Sequence, residues 1–266
     1  MGTSIGETVW RHLAHSLQGT SHSAEGSPCQ DSHRVLLLGG EANDTLVACA
    51  ADGAGSAKHS SAGSSIACER ITANAAAYLE SHGSFDLLQI EDVWSWCEDA
   101  RRTIEKEAEA RASSSREFAT TICTAIVSPQ RACFFQIGDG AIIAGARGVL
   151  GVVFWPQSGE YANSTNFLTA EDFRTHLEFV TTESQFSELA LFTDGLERLA
   201  LTFESQTPFP PFFHPLFQVL RTADDPAGLG DDFRRFLQSD SVQARSDDDK
   251  TLILVTQVAE ENDQND

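Results

Sequence analysis

The sequence predicts an α+β fold of layers, antiparallel sheets packed on sheets with helices outside. Three observations lead there. Helix-like and strand-like stretches come in blocks, where a parallel sheet would alternate them. The short β-branched or aromatic runs "TTICTAIV", "ACFFQIG", "AIIAGA" and "VLGVVFW" follow one another with only "SPQR", "DG" and "RG" between them, the pattern of an antiparallel meander. Finally, 266 residues that are 41% hydrophobic, with 17 Phe and 4 Trp, can build a sizeable core without disulfides.

The elements follow in order. The N-terminal stretch "MGTSIGETVWRHLAHS" lacks the apolar core of a signal peptide, and no strand is predicted in it. Residues 34–38 and 45–51 read as strands joined by the turn "GGEAND". A helix is expected from about 61 to 82, with Ala67, Ile71, Ala75 and Tyr78 on one face and Gly83 as its stop. A second covers roughly 90–112 through Val93, Cys97, Ala100, Ile104 and Ala108. After the meander, "LALFT" at 189–193 is a buried strand. The proline-rich "PFPPFFHPLF" at 208–217 reads as an ordered loop leading into a helix near 216–222. A helix at about 227–238 and the strand "TLILVTQV" close the chain. No linker or repeat divides it, so one domain is expected over 1–266, with its core at about 18–256. The acidic tail 259–266 should fray into solvent.

Lys and Arg number 18 against 39 Asp and Glu, a formal charge of −21. Such a surface repels phosphate backbones and anionic lipid and attracts cations, so neither nucleic acid nor a membrane is an expected partner. No stretch approaches the length of a membrane span. The six cysteines form no CxxC pair or zinc spacing, which fits reduced, buried thiols in the cytoplasm.

The carboxylates carry the chemistry. Asp52, Asp139 and Asp194 each follow an apolar run and precede a glycine, Asp248 stands just before the last strand, and Asp31 lies in "CQD". Asp-Gly is also the commonest hairpin signal, so a turn explains any one of them. Gathered at one edge of a sandwich, however, carboxylates repel one another unless a cation neutralises them. Oxygen-only donors suit Mg²⁺ or Mn²⁺.

These motifs resemble, in order and over about residues 18–256, the metal-dependent type 2C (PPM family) serine/threonine protein phosphatases. "PCQDSHRV" takes the place of that family's opening acidic pair, "ADGAG" of its ADG-x-G, "ATTICTAIV…QIGDG" of its T-T strand and GDS, "TDG" of its SDG, and "DDKT" of its DN-x-T. Local wording such as "GTSH…PCQD" and "DDDKTLIL" is similar to a bacterial branch. The resemblance implies a four-layer α-β-β-α sandwich and two or three Mn²⁺ or Mg²⁺ ions at one end. It makes Asp52 the carboxylate bridging two metals, Gly53 a carbonyl ligand, Asp194 and Asp248 ligands of the first metal, Asp31 the retained acid of the pair and a further metal-site residue, and Asp139 the acid of a third metal. It also implies hydrolysis of phosphoserine and phosphothreonine in proteins by metal-activated water, with a serine/threonine kinase as a partner. That fits a chain without a G-x-S-x-G elbow.

Three positions depart from the family. Gly26 stands where its phosphate-binding arginine is expected, Ala54 where a histidine follows the DG step, and Gln30 where the first acid belongs. His22, Lys58 and His59 are the nearest groups that could grip phosphate or protonate a leaving group, His22 foremost. The same departures raise an alternative, a pseudophosphatase that binds phosphoprotein or a partner kinase without turnover. "GEYANSTNFLT" reads either as a capped loop or as a flap beside the site.

Overall fold

The computed structural model describes residues 8–39, 44–129, 131–157 and 165–259. Most of the acidic tail, part of the "GGEAND" turn and much of "GEYANSTNFLT", read as a capped loop or a flap, lie outside the described residues.

Two five-stranded antiparallel sheets face each other. The first contains, in spatial order, β2 (Ser32–Leu38), β3 (Thr45–Ala51), β4 (Ile122–Val127), β5 (Ala132–Ile137) and β8 (Glu178–Thr182). The second contains β1 (Thr8–Leu17), β12 (Lys250–Ala259), β9 (Glu188–Phe192), β6 (Ala141–Ala146) and β7 (Val149–Phe154). Between them Leu46, Ala48, Ala50, Phe134, Ile142, Leu191 and Ile253 form a dry middle layer. The alternate residues of β3, Val47, Cys49 and Ala51, face outward against the long helices α2 (Ser60–His82) and α3 (Ile90–Ala110). This double burial explains why "TLVACAA" shows no polar alternation. On the opposite outer face Phe192, Leu252 and Leu254 pack beneath α6 (Pro210–Thr222) and α7 (Gly230–Leu237). Helix, sheet, sheet and helix make the expected four layers.

The α2 and α3 expectations hold closely. Gly83 takes the left-handed conformation (φ 76°) and its N–H closes on Leu79 O. Asp92 accepts from the Gln89 N–H to cap α3.

Three expectations are corrected. The N-terminal residues form β1, pairing with β12 from Leu17↔Lys250 onward. The run 208–217 belongs largely to α6, because Pro210 and Pro211 occupy its first turn, where a missing N–H costs nothing. The four runs are not one meander either: β4 pairs with β5 and β6 with β7, but β5 and β6 lie in different sheets. The "GDG" step is therefore the crossing from one layer to the other. Gly138 makes it at φ 110°, where a Cβ would lie 2.4 Å from Thr121 Cγ2.

Candidate active site

Strand ends meet at one end of the sandwich, and the Asp-Gly steps mark them. Asp52 leaves β3 toward α2, Asp139 stands on the crossing between sheets, and Asp194 follows β9 in the short 3₁₀ turn Asp194–Leu196. One carboxylate oxygen of each lies within 4.8 Å of the others, and each side chain keeps partial exposure. None of the three is a hairpin turn.

The backbone of Asp52 is fixed from β4's approach. Its N–H donates to Thr121 Oγ1 at 3.0 Å, and its carbonyl accepts from Thr121 N at 2.8 Å and Thr120 Oγ1 at 2.9 Å. Gly53 is bridged to Thr120 in the same register. Asp31 is buried beside this trio, and Thr193 Oγ1 donates to its Oδ2 at 2.7 Å. Thr165 Oγ1 donates to Asp139 Oδ2 at 2.6 Å. Thr165 opens a stretch stitched to the body by Leu168 N–H on Thr120 O (2.8 Å) and by Arg101, which donates to Leu168 O at 2.8 Å and lies over the Phe173 ring.

The electrostatics call for a cation. Burial raises the Asp31 and Asp52 carboxyls above the usual carboxylate range, and the charges of Asp31, Asp194 and Asp139 raise Asp52 further. Asp139 is raised by burial and then by Asp248, against the hydrogen bond from Thr165. Asp194 is pushed up to about 8 by burial, with Asp139, Asp248 and Asp31 adding repulsion. Asp31 Oδ1 and Asp139 Oδ1 are buried and without hydrogen-bond partners. An all-oxygen donor set with unpartnered oxygens fits a hard divalent ion.

Asp248 lies outside the 4.8 Å set; its side chain is half exposed, yet its charge bears on both Asp139 and Asp194. Asp249 is the buried neighbour, and it organises the edge of the site. Its Oδ1 accepts from Gly19 N and its Oδ2 from Gln30 N, both at 2.6 Å. His22, on α1 (Thr20–Glu25), places Nδ1 2.9 Å from Asp249 Oδ1, off line for a hydrogen bond but close enough for an ion pair. Burial opposes its charge, but Asp249, Asp248 and Glu25 together lift its pKa above the ordinary histidine value. His22 Nε2 and the unpartnered Gln30 Oε1 both approach Gly55, at 3.8 and 3.9 Å from where a Cβ would stand.

The other two candidates separate from the site chemistry. Lys58 is exposed, with its N–H on Glu117 Oε2, and the His59 ring packs on Phe118 at 5.0 Å. Sequence reasoning missed Thr165, Thr193 and Glu197, whose carboxyl is pushed up to about 7 by burial and then by Asp139. The "T" of "FTDG" was the available signal for Thr193. For Thr165 the available signal was its place in "GEYANSTNFLT", the segment open to reading as a flap beside the site.

The family model described as "Protein phosphatase 2C" matches residues 18–238. Serine/threonine-protein phosphatase 3 of Escherichia coli (strain K12) is 35% identical over 250 residues, covering 92% of this chain and 97% of the relative. This chain belongs to the protein phosphatase 2C family. Among solved structures it resembles PppA of Pseudomonas aeruginosa (TM-score 0.62, 17% identity, 94% of this chain and 100% of that one). It also resembles the catalytic domain of the serine/threonine protein phosphatase PstP in complex with 2 manganese ions (TM-score 0.59, 17% identity, 94% and 99%). At such identities the likeness is one of fold. Family membership makes the protein a metal-dependent phosphatase, and the pseudophosphatase alternative is not favoured. Among the described residues no helix is long and apolar enough to cross a membrane.

Proposed function

We propose that the protein removes phosphate from phosphoserine and phosphothreonine in proteins, opposing a serine/threonine kinase in the cytoplasm, with two or three Mn²⁺ or Mg²⁺ ions. The observation that carries the reading is the meeting of Asp52, Asp139 and Asp194 oxygens within 4.8 Å from three separate strand ends. Bound divalent ions supply an acidified water and polarise the phosphoryl oxygens.

The chain's own residues hold that arrangement. Asp52 would be shared between two ions, with the Gly53 carbonyl as a further donor. Asp194 and Asp248 would hold the first ion, and Asp139, kept in place by Thr165, would hold the third. Asp31, fixed by Thr193, stays beside Asp52 as an acceptor for the proton that leaves the water. His22, held by Asp249, is offered to the phosphate or to the departing oxygen.

Hydrolysis of para-nitrophenyl phosphate with and without Mn²⁺ tests this. Turnover should require the ion and fall at least roughly a hundredfold in Asp194→Asn. Intact metal-dependent turnover in that variant would remove the assignment.

A further inference from the structure

The acidic end of the sandwich contains a buried lysine. Lys250 heads β12 and is only 1% exposed. A lysine in that position is costly to bury unless its ammonium is engaged. Its Nζ donates to the backbone carbonyl of Asp248 at 2.5 Å. Burial lowers the pKa of this ammonium, and the charges of Asp248, Asp249, Asp247 and Asp31 oppose that shift.

The two ligand turns pack closely. Gly195, next to Asp194, leaves so little room that a Cβ there would lie 1.9 Å from Asp249 O and 3.3 Å from Lys250 Cγ. The Asp249 backbone and the start of the Lys250 side chain therefore both lie against the turn carrying Asp194. Three successive aspartates would otherwise repel one another and splay toward water. A donor reaching the middle carbonyl from the protein interior opposes that splaying without occupying a carboxylate oxygen.

We infer that Lys250 is a positioning residue, a buried side-chain donor that pre-forms the 247–249 turn and presents Asp248 beside Asp194 to an arriving divalent ion. The inference rests on the proposed metal-holding role of those two aspartates. A positive charge on that side chain would also repel a metal, so the two effects have opposite signs and one experiment separates them.

Mn²⁺ binding is measured by calorimetry on the full chain, wild type against Lys250→Met, Lys250→Arg and Asp194→Asn. Positioning requires the Mn²⁺ dissociation constant of Lys250→Met to rise about tenfold, the cost of losing a residue that orients a ligand. At saturating Mn²⁺ its kcat should stay within about twofold of wild type. Lys250→Arg, which keeps the charge and the donor, should recover most of the affinity. In the chelated protein, amide exchange at 246–250 should accelerate in Lys250→Met alone. An unchanged or tighter dissociation constant in Lys250→Met would overturn the inference while leaving the metal assignment standing. Absence of Mn²⁺ binding in the wild type, or full binding in Asp194→Asn, would instead overturn the metal assignment beneath it. Should Lys250→Met lose its far-UV circular dichroism, Lys250→Leu, which likewise lacks the charge and the donor, replaces it under the same criteria.

Discussion

His22 and His33 are the same side chain in two opposite settings. His22 stands at the acidic end with Asp249 and Asp248 beside Nδ1, and its pKa is raised. His33 lies on the flank, in a groove of about 380 Å³ between β1 and β2, shared with His12 and His15 and walled by Pro226 and Gly230. There burial, followed by the charges of His15 and His12, lowers its pKa to about 4. His12 is likewise lowered by burial. The groove's imidazoles can meet their surroundings neutral: His15 Nε2 donates to Gly230 O, and His33 Nδ1 lies 2.8 Å from Ser16 Oγ. The carboxylates at the acidic end have no such neutral solution that leaves them useful as ligands. Burial penalises charge in both places, but only at the acidic end does the penalty call for a ligand.

The comparison breaks first at function. His22→Ala should slow hydrolysis of phenyl phosphate by roughly a hundredfold, and that of para-nitrophenyl phosphate, whose leaving group needs less help, by far less. His33→Gln should leave both within about threefold. Equal effects from the two variants would erase the distinction.

Stability against pH gives the next largest effect, with opposite slopes from the two regions. His33 is neutral when folded until about pH 4 but binds a proton near 6.5 when unfolded, so its contribution is full above 6.5 and is lost as pH falls toward 4. His33→Gln should flatten that acid limb of a Tm profile. Asp194 runs the other way. Its carboxyl stays protonated in the fold up to about 8 but ionises near 4 when unfolded, so the chelated protein should lose stability as pH rises from about 4 to 8. Added Mn²⁺ should abolish the alkaline slope and spare the acid one. A chelated protein whose Tm is flat between pH 5 and 8 would contradict the crowding of carboxylates described above.

The smallest effect sharpens the picture inside the acidic end. Thr165→Val removes the hydrogen bond to Asp139 while keeping side-chain volume. The Mn²⁺ concentration for half-maximal activity should rise about tenfold. Thr193→Val, acting on Asp31, should alter kcat more than that concentration.

The sequence made the acidic set legible because each Asp-Gly step is a local signal at the end of an apolar run, and three such steps share one explanation. The layer order was legible as well, from blocks of like elements. What remained hidden depends on distant partners. β1 reads as a polar stretch because it is an edge strand whose partner is at the far end of the chain, with Leu17 opposite Lys250. The crossing at Asp139 looks like a hairpin because "GDG" is also good hairpin chemistry; only the pairing of β6 with β9 reveals it. Asp249 was visible within "DDDK", but its two backbone partners, Gly19 and Gln30, are more than two hundred residues away.

The layer crossing has a mechanical consequence. Asp52 leaves the sheet built on β3, Asp194 leaves the sheet built on β9, and Asp139 lies on the strap between them. Ions held among the three would rivet the two halves of the sandwich together at one end. The sheets could not peel apart there until the rivet came out. Pulling or heating the loaded protein would then probe the departure of a cation before it probed the hydrophobic seam, and the rate of opening would depend on which ion is bound.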